Sequence, residues 1–183
     1  MSVPTQTGPV IAVFASDRGP GAPERASLMT ECGLMLARKG AHIVCLAENG
    51  VVPVPLITAA RSAHGHVEVI ADATIAMPPA LADVPVTVLS SAEERHARLT
   101  AAASVFVALP GSLASATALF RAWSTGAGRP VVMLNRNRAF EAIRGFTTDV
   151  LAASVPGYDR NIQFADNVDD LWNKVIWLTQ NGQ

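Results

Sequence analysis

The sequence contains only two cysteines, which excludes a fold held together by a framework of disulfide bonds. Neither Cys32 nor Cys45 has the Cys-x-x-Cys or Cys-His spacing that is typical of a metal site. We therefore expect two buried free thiols in the reducing environment of the cytoplasm. The N-terminal segment 1–9 has no basic residue and no apolar stretch, so it does not predict a signal peptide.

Neither positive nor negative charge is in excess, since the chain has 14 Lys and Arg residues and 15 Asp and Glu residues. Such a balance predicts no binding to nucleic acid or to an anionic membrane surface. No apolar run approaches the roughly 20 residues that span a bilayer. No metal or other cofactor is expected either, because His64 and His66 have no third ligand nearby and fit a turn better. The expected partners are a small molecule and a second copy of the chain.

Apolar segments of strand length recur along the chain and alternate with segments of helical periodicity. The chain has 183 residues, of which 50% are hydrophobic, and this length and composition predict one well-buried domain over residues 1–183. The sequence predicts an α/β fold, a Rossmann-like doubly wound parallel sheet in a single domain. The predicted strands are 10–15, 42–47, 66–71, 86–89, 104–109, 130–135 and 161–164, and the predicted helices are 24–39, 55–63, a helix capped by Ser90 or Ser91, 112–124, 140–153 and 168–179.

A tight turn joins the strand over 104–109 directly to the next helix. A helix that begins there points its free N–H groups at whatever lies beyond the strand. Gly111 allows the backbone to approach a ligand, and Ser112 and Ser115 can add hydroxyl donors one turn apart. These features predict a phosphate or carboxylate site. An ordinary turn with Ser112 as the N-cap is the alternative interpretation.

Polar residues also follow other strands, where ligands bind in open parallel sheets. Ser16 and Asp17 follow the first strand, and Glu48 and Asn49 follow the second. Asn135 and Arg136 follow the sixth. The resulting pocket suits a phosphorylated ligand rich in hydroxyl groups.

Two segments resemble motifs of the Lonely Guy (LOG) family of cytokinin riboside 5′-monophosphate phosphoribohydrolases. Residues 110–118 resemble its Pro-Gly-Gly-x-Gly-Thr-x-x-Glu signature, and residues 94–99 resemble its Glu-Arg-Lys-x-x-Met segment. The resemblance implies a nucleotide-binding domain that holds a nucleoside 5′-monophosphate. The phosphate would lie on residues 111–115, with Ala114 at the position of a family glycine, and the ribose would lie near Arg95. The resemblance also implies a homodimer, because LOG proteins are typically dimers.

The signature is degenerate in this chain, since Ala118 stands where the family has its catalytic glutamate. The first hypothesis is therefore a LOG-like protein that binds its ligand with weak or lost N-glycosidase activity. Molybdenum cofactor carrier proteins, which resemble LOG proteins in fold, are a precedent for such binding. The second hypothesis is an active phosphoribohydrolase or transferase that uses Arg95 with Glu48, Asp17 or Glu94 as the substitute carboxylate. A structural homodimer with a vestigial pocket is the third.

Overall fold

The computed structural model describes residues 8–16, 18, 22–111, 113–125 and 129–181. In this part of the chain, seven strands form one sheet in the order β4-β3-β2-β1-β5-β6-β7, and every neighbouring pair is parallel. The predicted doubly wound, Rossmann-like α/β fold is therefore confirmed. The strands are β1 Val10–Phe14, β2 His42–Ala47, β3 His66–Ala71, β4 Val86–Val88, β5 Val105–Ala108, β6 Val131–Leu134 and β7 Ile162–Ala165.

Helices connect the strands. They are α1 Ala22–Arg38, α2 Val54–Ser62, α3 Ala92–Ala102, α4 Leu113–Thr125, α5 Glu141–Phe146, α6 Ala152–Ser154, α7 Tyr158–Asn161 and α8 Val168–Asn181. Single 3₁₀ turns lie at Pro79–Leu81 and Arg136–Arg138. None of the helices in the described ranges has the length and apolar character that crossing a membrane requires.

The helix predicted over 140–153 is present, but it is not α-helical throughout. A π-helical turn, Thr147–Leu151, separates α5 from α6. The hydroxyl groups of Thr147 and Thr148 donate to the carbonyls of Ile143 and Arg144, four residues earlier, at 2.8 and 2.9 Å. Such hydrogen bonds from side chains to the preceding turn accompany the π-helical turn and can bend a helix.

Both faces of the sheet are covered, which explains why its strands are almost entirely apolar. Ile11 and Val13 of β1 point into the cluster built by α1, α2 and α8. Ala12 and Phe14 point into the opposite cluster, which contains residues of α3, α4 and α5. Alternate residues of one strand therefore support two separate cores.

The switch point of the sheet lies between β1 and β5. From β1 the chain proceeds outward through β2, β3 and β4, and from β5 it proceeds in the other direction through β6 and β7. Phe14 and Ala108, the last residues of the two strands, are paired in register. The connections diverge beyond these residues, which opens a crevice at the carboxyl edge of the sheet.

Candidate functional site

A cavity of about 450 Å³ lies at this carboxyl edge. The turn after β5, Leu109–Gly111, forms one side of it, and residues of α4 and α5 form another. The N–H of Leu109 donates to the carbonyl of Phe14 at 2.9 Å, which fixes the start of the turn against β1. The cavity is within the size range of small-molecule sites, at the place where this kind of sheet binds ligands.

The structure describes only some of the predicted phosphate-binding residues. Gly111 lines the cavity. Ser112 and Asp17 lie outside the described residues, and the same holds for the side chains of Ala114 and Ser115 in the first turn of α4. Their contacts with a ligand stay predictions.

Arg25 also lines the cavity, and it was not among the residues singled out from the sequence. It lies in the first turn of α1, and its Nη1 donates to the carbonyl of Arg18 at 2.6 Å. A cation near a helix N-terminus is unfavourable to the helix dipole. That feature, in the helix that follows β1 at the switch point, is the sequence signal that could have identified it.

Arg95 and Glu48, which were predicted separately, form a buried ion pair. The Arg95 Nε donates to Glu48 Oε1 at 2.7 Å, and the side chains are 8% and 17% exposed. The Arg95 Nη1 also donates to the carbonyl of Leu89 at 2.6 Å. These contacts hold Arg95 at the ends of β2 and β4, and they engage the Glu48 carboxylate in the ion pair.

The loop after β2 is a tight turn whose backbone N–H groups donate within the protein. Asn49 and Gly50 both have left-handed backbone conformations, with φ of 55° and 72°. The Asn49 N–H donates to Asp72 Oδ2 at 2.9 Å, and the Gly50 N–H donates to Thr74 Oγ1 at 2.7 Å. The hydroxyl of Thr74 and then the N–H of Asn49 lower the pKa of Asp72 by hydrogen bonding to its carboxylate. The backbone N–H of Asn49 is therefore occupied within the protein.

The loops after β1 and β2 are joined through Arg18. Ser16 is buried, and its hydroxyl accepts a hydrogen bond from the Arg18 N–H at 3.2 Å. The Arg18 guanidinium donates to the carbonyl of Gly50 at 3.2 Å. Ser16 thus lies at the predicted edge, where it shapes the loop.

Asn135 and Arg136 hold the segment after β6 in place. Asn135 is buried, accepts from the Phe140 N–H at 2.7 Å and donates to Glu141 at 2.9 Å. Arg136 donates through two nitrogens to Glu31 of α1, at 2.9 and 3.3 Å. Both side chains are engaged in contacts within the protein.

His96 is buried, although it lies among charged residues in the sequence. It is 1% exposed, and neither ring nitrogen has a hydrogen-bond partner among the residues that the structure describes. The reason is its position on α3: His96 and the core residue Leu99 are three residues apart and share a helix face. Burial is the main reason that the pKa of His96 is lowered, and nearby Arg121 and Arg95 lower it further. Glu48 raises the pKa, but to a smaller extent than burial lowers it.

Ala118, at the position of the LOG glutamate, is 9% exposed and belongs to the cluster on the second face of the sheet. Of the carboxylates considered as substitutes, Glu48 is paired with Arg95, and Glu94 is exposed in the first turn of α3. Within the described ranges, no three His, Cys, Asp or Glu residues are placed to hold a metal ion.

The arrangement therefore defines a Rossmann-like protein with a cavity at the switch point of its sheet. No protein-family model and no curated protein sequence matches the chain. Solved structures do match. The molybdenum cofactor carrier protein of Chlamydomonas reinhardtii is 19% identical with a TM-score of 0.70, and the match covers 94% of this chain and 99% of that one.

Two further structures show the same fold. The molybdenum cofactor binding protein of the phototrophic bacterium Rippkaea orientalis is 15% identical, with a TM-score of 0.67 and coverage of 96% of this chain and 99% of that one. DNA processing protein A of Helicobacter pylori is 13% identical, with a TM-score of 0.59 and coverage of 93% and 81%. At these identities, the similarities establish the fold.

Proposed function

We propose that this chain is a single LOG-like domain that binds a nucleoside 5′-monophosphate or a related phosphorylated small molecule without hydrolysing it efficiently. The observation that carries the proposal is the cavity of about 450 Å³ at the switch point, bounded by the turn Leu109–Gly111 and by Arg25. Gly111 and the N–H groups at the start of α4 would receive the phosphate, with Ser112 and Ser115 adding hydroxyl donors. Arg25 would supply a positive charge from the side of α1.

The positions of the carboxylates favour binding of the ligand without its hydrolysis. Cleavage of an N-glycosidic bond needs a carboxylate near the sugar. Ala118 supplies none, and Glu48 is held by Arg95 at 2.7 Å. Loss of a catalytic carboxylate commonly lowers the rate about 10²- to 10⁴-fold. Binding depends less on that group, because the phosphate contacts are backbone N–H groups and hydroxyls.

Some of the structural neighbours are consistent with this proposal. Two of them are a carrier and a binding protein of the molybdenum cofactor, and both cover almost the whole chain. By analogy of fold, a carrier, sensor or partner domain is a function that this architecture can perform.

We also propose that the chain forms a homodimer. Phe120 on α4 is 42% exposed and Trp177 on α8 is 44% exposed. The two helices lie on opposite faces of the sheet, so one interface would use one of these side chains, and an exposed aromatic side chain there favours association with a second copy.

Isothermal titration with AMP tests the binding site. Gly111→Val should abolish binding, because a branched side chain would fill the approach to the turn. Gly145→Val is the matched control, since a Cβ at Gly145 in α5 meets no atom within 4 Å. Retained affinity in Gly111→Val would place the ligand elsewhere.

A further inference from the structure

Most of the side chains that line the cavity, among those that the structure describes, are apolar. Among the described lining residues, Phe14, Leu119, Phe140 and Ile143 carry large apolar side chains, and Arg25 is the only one with a polar side chain. A buried hydroxyl group needs a hydrogen-bond partner, and the described part of this wall provides no neutral donor or acceptor side chain. An aromatic or aliphatic group, in contrast, is favoured by removal of its surface from water.

Arg25 is positioned to serve an anion at the edge of this wall. Its guanidinium carries five N–H donors in a planar fork. One nitrogen, Nη1, donates to the carbonyl of Arg18 at 2.6 Å, which orients the fork and leaves further N–H groups for a ligand. No carboxylate is among the described lining residues to compete for the charge.

We propose that the cavity is a subsite for the apolar or aromatic part of a phosphate monoester, with Arg25 as a phosphate-binding residue. This inference rests on the proposed function and makes it more specific. The ligand class is a phosphate monoester whose ring or hydrocarbon body enters the cavity, while hydroxyl-rich parts stay outside. Specificity at this subsite comes from apolar shape and from one cation.

Three probes of similar charge test the subsite by isothermal titration at fixed ionic strength. They are 1-naphthyl phosphate, ribose 5-phosphate and inorganic phosphate. We expect 1-naphthyl phosphate to bind at least about tenfold tighter than ribose 5-phosphate. Equal affinities for these two monoesters would overturn the subsite.

Two pairs of variants localise the effects. Arg25→Met should lower the affinity for all three probes about tenfold or more, since hydrogen bonds from a charged group contribute that much, and Arg25→Lys should lose less. Arg38→Met, at the exposed opposite end of α1, should have no effect. Ala116→Leu should fill the cavity and weaken 1-naphthyl phosphate while sparing inorganic phosphate. Its control is Thr117→Leu, at the adjacent exposed position of α4.

The outcomes separate this inference from the proposed function. Thermal unfolding first establishes that each variant is folded. If AMP binding is lost in Gly111→Val but unchanged in Arg25→Met and Ala116→Leu, the proposed function stands and the subsite is wrong. If neither AMP nor any probe binds the natural protein, both proposals fail.

Discussion

Removal of Glu48 should destabilise the protein strongly, because it leaves the guanidinium of Arg95 buried without its counter-ion. The two side chains are 17% and 8% exposed, and of the acceptors that the structure describes for Arg95, the carbonyl of Leu89 would remain. Breaking a fully buried ion pair costs about 3–5 kcal/mol. Glu48 keeps some contact with water, so we expect about 3 kcal/mol for Glu48→Ala.

Thermal unfolding followed by circular dichroism at neutral pH measures this effect. In a domain of this size, each kcal/mol lowers Tm by about 2–4 °C, so Glu48→Ala should lower it by roughly 6–12 °C. The matched control is Glu31→Ala, which breaks the exposed pair with Arg136, where the side chains are 48% and 36% exposed. That change should cost about 1 kcal/mol or less.

A double variant separates the charge from the packing. Glu48→Leu combined with Arg95→Met removes both charges, and it should recover much of the stability, since an uncompensated buried charge is then absent. If Glu48→Ala and Glu31→Ala lower Tm equally, the Glu48–Arg95 pair does not hold this edge of the sheet together.

Three further predictions concern the core and the surface. Burial lowers the pKa of His96 below its usual 6.5, so the unfolded chain takes up its proton first and stability should fall as the pH drops below that value. His96→Phe should remove this slope in thermal scans between about pH 5 and 7, and an unchanged slope would contradict the assignment. Asn135→Ala should cost about 1–3 kcal/mol in urea unfolding, because the buried N–H of Phe140 loses its acceptor; a smaller loss would mean that water replaces it. Light scattering at micromolar concentration should give the mass of a dimer, with Phe120→Glu shifting it toward the monomer; a monomeric natural protein would refute the dimer.

The fold was predictable because its signals are local. The segments 42–47 and 66–71 coincide with β2 and β3, since continuous apolar runs are typical of strands buried on both faces. Gly40 ends α1 with a φ of 78°, and Ser91 accepts from the Glu94 N–H to cap α3. Each of these features depends on residues that are near one another in the sequence.

The site was less predictable because its contacts are between distant segments. Glu48 and Arg95 were each identified by position, but their pairing joins residues 47 apart in the chain. Asn49 is a candidate ligand residue by its position, whereas its backbone N–H donates to the carboxylate of Asp72, 23 residues further along the chain. The burial of His96 depends on how α3 packs against the sheet. The charged residues next to His96 in the sequence instead suggest an exposed position.

Incubation of the natural protein with a panel of nucleoside 5′-monophosphates, followed by mass spectrometry, tests binding and hydrolysis together. We expect bound nucleotide in native spectra and no free base after denaturation. Release of free base at about one per second or faster would show an ordinary enzyme, and Glu48, Asp17 and Glu94 would then be the carboxylates to mutate. The absence of any bound nucleotide would contradict the proposed ligand.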